Sequence, residues 1–127
     1  MSEARLTSIT VGSTVRGRSI AVRERTGSNP AIFWLGGFKS DMKGTKAEAL
    51  DRWAESKGRG CLRFDYSGHG ESGGLFTDGT IGRWLEESLA VIDHVGPERM
   101  VLVGSSMGCW VALRLIAKLR ARGEGAK

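Results

Sequence analysis

The apolar and polar positions along the chain predict five strands. Segments 6–11 and 18–25 alternate β-branched apolar residues with polar ones, which is typical of two half-exposed strands joined as a hairpin. The run 31–35 is apolar without alternation, as expected of a strand that is covered on both faces. Segments 61–66 and 100–103 have the length and residue types of two further strands.

Between and after the later strands, apolar residues recur at helical spacing. The sequence predicts helices over 45–57, 80–95 and 109–119. The segment 45–48 has the Thr-x-x-Glu spacing of a capping box, and Thr80 is expected to cap the second helix. Strands that alternate with helices indicate an α/β fold with a parallel sheet, in which chemistry collects at the carboxyl ends of the strands.

The junction between the last strand and the last helix carries the pattern Gly104-x-Ser106-x-Gly108. In a nucleophile elbow the serine occupies so sharp a turn that its neighbours must be small. Gly104 and Gly108 fill those two crowded positions, which makes Ser106 a candidate nucleophile. The alternative is an ordinary strand-to-helix turn, because glycine and serine recur by chance in a chain with 19 glycines.

Composition limits the classes of function. A chain of 127 residues with 40% hydrophobic residues is long enough for one modest domain with a core. The net charge of +5 would suit nucleic-acid binding, but the basic residues are scattered and not interleaved with aromatic ones. We therefore expect no nucleic-acid partner.

Two further features concern redox chemistry and location. Cys61 and Cys109 lack metal-ligand spacing and are expected to be free, mostly buried thiols. The amino terminus has no apolar leader, and no apolar run reaches the length of a membrane span. The sequence thus predicts a cytoplasmic protein without a membrane span.

Three motifs in this order resemble the α/β-hydrolase family. They are Trp34-Leu-Gly-Gly-Phe38 after the third strand, Asp65-Tyr-Ser-Gly-His-Gly70 after the fourth, and Val103-Gly-Ser-Ser-Met-Gly108 at the elbow. Three motifs in the correct order are far more specific than the elbow alone. The resemblance implies an α/β-hydrolase fold with a serine nucleophile.

Segments 37–46, 63–68 and 104–110 are similar to one branch of that family, which contains palmitoyl-protein thioesterases, acyl-glucuronide esterases and bacterial relatives. The resemblance runs from about residue 20 to residue 119 and does not reach the second half of the family's fold. We therefore expect residues 1–127 to form a single, partial domain, the amino-terminal half of the fold, truncated after the helix that follows the elbow.

The resemblance also implies roles for particular residues. Ser106 matches the nucleophile, and the backbone N–H groups of Met107 and Phe38 match the two donors of the oxyanion hole. Such donors stabilise the negative charge that acyl transfer builds on the carbonyl oxygen. Gly36 and Gly37 let the backbone approach closely, although an ordinary turn would use them too. The expected substrate is a small acyl ester or thioester, with no metal and no cofactor.

Neither histidine is expected to act as the general base. In the family His69 belongs to a structural turn after the fourth strand, and the third strand separates that strand from the elbow strand, which would leave His69 too far from Ser106. His94 is most simply a surface residue of the second helix. In this family the acid and the histidine of the triad follow the nucleophile, but no histidine follows His94 here. A serine without a base is a poor nucleophile, so we expect this chain alone to be inactive or very weak.

Two other functions compete with the hydrolase interpretation. A half-domain could serve as a binding or assembly module, through self-association or a carboxyl-terminal complement at the exposed edge of the elbow strand. Residues 68–73 fit the dinucleotide pattern G-x-G-x-x-G, but the chain stays irregular until Thr80, and no acidic residue ends the next strand. Dinucleotide binding is therefore disfavoured.

Overall fold

The computed structural model describes residues 4–12 and 17–123, which form strands and helices in the predicted order. The strands are β1 (Arg5–Val11), β2 (Arg18–Arg25), β3 (Ser28–Leu35), β4 (Arg59–Phe64) and β5 (Met100–Gly104). The helices are α1 (Thr45–Ser56), α2 (Ile81–Val95) and α3 (Met107–Ala121), with a short 3-10 turn at Phe76–Asp78 before α2.

The strands form one mixed sheet in the order β1-β2-β4-β3-β5. The first two strands make an antiparallel hairpin, and β4 pairs antiparallel with β2. The strands β4, β3 and β5 run parallel, so their carboxyl ends meet at one edge of the sheet. As predicted, β3 separates β4 from the elbow strand, and β5 lies at the edge of the sheet that the described residues form.

Neighbouring residues of β3 face opposite sides of the sheet and enter two apolar clusters. Phe33 joins the larger cluster, beneath α2 and α3, whereas Ile32 packs with Ala54 of α1 and Cys61 of β4. Both side chains are buried, which confirms that this strand is covered on both faces. The apolar contact on the α1 side is small, so charged groups carry part of the attachment there.

An ion cluster links α1 to the sheet. Asp51 of α1 accepts two hydrogen bonds from the guanidinium of Arg25, both at 2.9 Å, and lies 3.4 Å from Nη2 of Arg63. All three side chains are buried. Burial alone would raise the pKa of Asp51, but the hydrogen bond from Arg25 and the charges of both arginines outweigh it, so the pKa lies below its ordinary value.

The local capping signals predicted the start of α2 correctly but not the start of α1. Thr80 caps α2 as predicted, because its hydroxyl oxygen accepts a hydrogen bond from the N–H of Arg83 at 3.0 Å. The capping box predicted for 45–48 is wrong. The capping residue is Gly44, which has no side chain to bond, and Thr45 is already the first residue of the helix.

The cysteine prediction is partly confirmed. Both thiols are free, and Cys61 is buried. Cys109 is exposed, contrary to the prediction, because it lies on a side of the first turn of α3 that no other described element covers.

We expect Asp51→Asn to lower the free energy of unfolding by about 3 kcal/mol at neutral pH, because it leaves two buried arginines without their carboxylate. The stabilisation from a carboxylate with a lowered pKa is present above its unfolded value and is lost as pH falls through its folded value. Denaturation from about pH 7 to about pH 3 should therefore show a shallower acid loss in the variant than in the wild type.

The matched control is Asp93→Asn, which removes an exposed carboxylate from α2. We expect it to cost less than about 0.5 kcal/mol, as is usual for a surface ion pair. Equal acid slopes for the wild type and Asp51→Asn would contradict the assignment.

Candidate active site

Ser106 lies between the end of β5 and the start of α3 in a backbone conformation that few residues adopt. Its φ is 56° and its ψ is −120°, in a region that disfavours residues other than glycine. The side chain is exposed at the carboxyl edge of the sheet. The turn thus lifts a hydroxyl above the strand ends, and it does so at a cost in backbone strain.

The two flanking glycines are required by close backbone contacts. A Cβ on Gly108 would lie 1.9 Å from the carbonyl oxygen of Leu35, and one on Gly104 would lie 2.6 Å from the carbonyl oxygen of Gly108. The N–H of Ser105 also donates to the oxygen of Leu35, at 3.1 Å. The elbow is therefore pressed directly against the end of β3.

The loop that follows β3 lies beside the serine. A Cβ built on Gly37 would be 3.4 Å from Cβ of Ser106 and 4.0 Å from its Oγ, so a side chain there would crowd the hydroxyl. Within the described residues, the N–H groups of Phe38 and Met107 donate to no protein acceptor. Neither amide is therefore occupied by another described residue of the protein.

Two side chains from the turn after β4 hold the start of this loop. The hydroxyl of Tyr66 donates to the carbonyl oxygen of Gly36 at 3.0 Å, and the N–H of Lys39 donates to Nε2 of His69 at 3.0 Å. Burial, with a smaller effect of the Glu87 carboxylate, raises the pKa of Tyr66 and keeps its hydroxyl protonated.

Asp65 and Arg63 hold the end of the loop through Met42, whose side chain is also buried. The N–H of Met42 donates to Asp65 at 2.8 Å, and its carbonyl oxygen accepts from Arg63 at 2.7 Å. Burial raises the pKa of Asp65, and hydrogen bonds from the N–H groups of Glu71 and Met42 oppose that rise. In the sequence, Asp65 begins the second family motif, but the motif itself indicates no role for this carboxylate.

The structure does not bring a free histidine to Ser106. His69 is buried, and its Nδ1 lies 3.1 Å from the carbonyl oxygen of Ser67 while Nε2 accepts from Lys39, which indicates a neutral ring with its proton on Nδ1. His94 is exposed in the last turn of α2. That turn leads to the start of β5, whereas Ser106 follows the end of the same strand. His94 therefore lies toward the amino ends of the parallel strands, and Ser106 lies at their carboxyl ends.

The glycine-rich run 68–73 closes on itself and does not begin a helix. The N–H of Gly68 donates to the carbonyl oxygen of Gly73 at 2.8 Å, and α2 starts only at Ile81. Among residues 4–12 and 17–123, no group of three or more His, Cys, Asp or Glu side chains is arranged to hold a metal ion. No helix in the same part of the chain is long and apolar enough to cross a membrane.

Comparison with known proteins gives consistent matches. A family model described as "Alpha/beta hydrolase family" matches residues 27–124. The human mitochondrial palmitoyl-protein thioesterase ABHD10 is 40% identical over 95 residues, which are 75% of this chain and 31% of the relative. The chain therefore spans about a third of the length of the curated relatives that it matches.

Solved structures match over nearly the whole chain. A candidate hydrolase from Agrobacterium vitis S4 has a TM-score of 0.92 and 56% identity, covering 94% of this chain and 47% of that one. Mouse alpha/beta hydrolase domain-containing protein 10 has a TM-score of 0.82 and 33% identity, covering 96% of this chain and 46% of that one. Each of these two structures is about twice as long as the part that is matched.

We expect Gly108→Ala to lower the free energy of unfolding by about 3 kcal/mol or more, because the new methyl group would collide with the backbone of Leu35. The control is Gly82→Ala in the first turn of α2, where a Cβ would meet only the Thr80 hydroxyl at 3.8 Å. That variant should be neutral or up to about 1 kcal/mol more stable. The free energies of unfolding of both variants are measured by urea denaturation. Equal values for Gly108→Ala and Gly82→Ala would contradict the close contact between Gly108 and Leu35.

Replacement of His69 tests whether it positions the loop. We expect His69→Ala to cost about 1–3 kcal/mol and to speed hydrogen exchange at the Lys39 amide, which loses its acceptor. His69→Gln, whose amide oxygen can replace Nε2, should restore much of the protection. His94→Ala should change neither quantity, and protection at Lys39 that persists in His69→Ala would sink the idea.

Proposed function

The chain belongs to the alpha/beta hydrolase family, and from that premise we propose that Ser106 is the nucleophile of a carboxylic-ester or thioester hydrolase. The observation that carries the proposal is the strained backbone of this exposed serine, held between two glycines that close contacts require. Such strain persists only where the surrounding structure enforces it, and it is concentrated at functional sites.

The backbone N–H groups of Phe38 and Met107 supply the oxyanion hole in this proposal. Both amides lie on segments next to Ser106, and neither donates to a protein acceptor among the described residues. The loop that carries Phe38 is held by hydrogen bonds, and Met107 is the first residue of α3. In this proposal the donors therefore need no rearrangement when charge develops on the substrate oxygen. Gly37 lets that backbone approach the serine, and a side chain at Gly36 before it would lie against Ser40 and Trp34.

The reaction proceeds through an acyl-enzyme. Oγ of Ser106 attacks the carbonyl carbon, its proton passes through a base to the leaving alcohol or thiol, and the C–O or C–S bond breaks. Water then attacks the acyl group, gives a proton to the same base, and releases the carboxylic acid as the serine regains its hydrogen. Each cycle consumes one water and needs no redox partner.

We place the base and its acid partner outside these 127 residues. Both ring nitrogens of His69 already lie within hydrogen-bond distance of backbone groups, and His94 lies toward the amino ends of the parallel strands, away from Ser106. The edge strand β5 and helix α3 offer a surface for such residues, with Val101 45%, Trp110 58% and Leu113 68% exposed. Without that part, the chain is proposed to be inactive or very weak.

The preference for esters or thioesters is supported by the relatives, which include palmitoyl-protein thioesterases. The acyl group is not thereby assigned to this chain. We keep the cytoplasm as the predicted compartment of this chain, although the palmitoyl-protein thioesterases that it resembles are mitochondrial proteins by name.

The second candidate is a non-catalytic binding or assembly module, and the exposed surface of β5 and α3 favours it. An edge strand with unpaired backbone groups can pair with a second copy or with a complementary chain. In that case Ser106→Ala would leave the biological role intact.

A fluorophosphonate probe separates these functions, with mass spectrometry to locate the adduct. The full-length protein of this proposal is one in which residues 1–127 are joined to the remainder of the fold that carries the base and its acid partner. We expect it to be labelled at Ser106, and we expect neither label nor ester hydrolysis in Ser106→Ala. The adjacent Ser105→Ala is the control and should retain labelling. Residues 1–127 alone should react at least about 10²-fold more slowly, because a positioned base contributes 10²–10⁴-fold.

Equally fast labelling of the 127-residue chain would show that a base is present within it. No labelling of the folded full-length protein would overturn the hydrolase proposal and leave the binding module.

A further inference from the structure

The lysines near Ser106 differ in what their ammonium groups contact. Lys43 lies 3.7 Å from the Glu71 carboxylate, and Nζ of Lys39 lies 5.5 Å from the centre of the Phe76 ring. Nζ of Lys46, in the first turn of α1, lies 3.5 Å from Oγ of Ser105. Lys46 is thus the lysine that reaches the elbow itself.

Within the described residues, Lys46 has no carboxylate within ion-pair distance. Its one polar protein contact there is the neutral hydroxyl of Ser105, which leaves two of three ammonium hydrogens to solvent or ligand. Ser105 and Ser106 are consecutive, with Cα atoms about 3.8 Å apart, so this charge lies at most roughly 12 Å from the Ser106 hydroxyl.

An apolar surface begins at the loop after β3, which lies beside the serine. Phe38 follows Gly37, is 53% exposed, and packs edge-on against the ring of Phe76 at 5.1 Å. Leu75, next to Phe76, is 66% exposed. The surroundings of Ser106 therefore combine an exposed aromatic surface with two lysines that have no carboxylate within ion-pair distance among the described residues. Lys39 lies over that aromatic surface, whereas Lys46 contacts the elbow.

We propose that Lys46 is a specificity-determining residue that selects esters or thioesters carrying a carboxylate or phosphate near the reacting carbonyl. The proposal rests on the hydrolase function of Ser106 and adds the substrate class. The ammonium binds the anion while the apolar part of the substrate lies against Phe38 and Phe76. Since the interaction is present before and during acyl transfer, it acts mainly on substrate binding.

Matched esters test this in the full-length protein. On the acyl side, the mono-p-nitrophenyl ester of adipic acid is compared with p-nitrophenyl hexanoate, which has a methyl group in place of the carboxylate. On the leaving-group side, 4-acetoxybenzoate is compared with its methyl ester. The quantity measured is the ratio of kcat/KM for the anionic ester to that for the neutral ester.

We expect Lys46→Gln to lower this ratio about threefold to fivefold for one of the two pairs, mostly through KM, because one near-surface charge interaction is lost. Neutral esters should change less than about twofold, and Lys46→Arg should retain the preference. The control Lys57→Gln lies at the other end of α1 and should leave every ratio unchanged. Added salt should weaken the wild-type preference.

The outcomes separate this inference from the hydrolase proposal. Neutral esters that are hydrolysed at Ser106 with ratios unchanged in Lys46→Gln would overturn the role of Lys46 alone. An equal loss for anionic and neutral esters would assign Lys46 to holding α1 against the elbow instead. No hydrolysis of any ester by the wild type would overturn both proposals.

Discussion

The close approach of two backbone segments, the end of β3 and the start of α3, governs the geometry around Ser106. No side chain separates the carbonyl oxygen of Leu35 from Gly108, and the N–H of Ser105 bonds to that same oxygen. This contact fixes the path of the chain as it leaves β5, and the strained φ of Ser106 follows from it. It also brings the loop after β3 to the serine, because both segments begin at the same contact.

That loop gains its rigidity from β4 and the turn that follows it. Four side chains of this strand and turn hydrogen-bond to the backbone of the loop: Arg63, Asp65, Tyr66 and His69. The Tyr66 bond is to Gly36, the glycine that begins the loop. These side chains thus fix the position of the loop backbone that includes the amide of Phe38. The side chain of Phe38 is itself half exposed. In the proposed oxyanion hole, a donor held in this way would stabilise a developing charge without first having to reorganise.

The two faces of the sheet are attached by different interactions. Helices α2 and α3 cover one face with a large apolar cluster, whereas α1 covers the other with few apolar contacts and the buried ion cluster around Asp51. Arg63 belongs to that cluster and also bonds to Met42 in the loop. The attachment of α1 and the position of the loop are therefore coupled, and α1 in turn carries Lys46 to the elbow.

The sequence alone determined the strands, the helices, the elbow motif and the cap at Thr80, because burial periodicity and a capping hydroxyl act over a few neighbouring residues. It also predicted the order of the three parallel strands through the family resemblance. The capping box at 45–48 failed because the helix began one residue earlier than the local pattern indicated. The roles proposed for Ser106, Phe38 and Met107 stay predictions.

Only the tertiary structure decided that both nitrogens of His69 are engaged, that Asp65 holds the loop and that Lys46 reaches Ser105. Apart from the local contact of His69 Nδ1 with Ser67, these contacts join residues 23 to 59 positions apart. The packing of the sheet, not the local sequence, sets which of these residues meet.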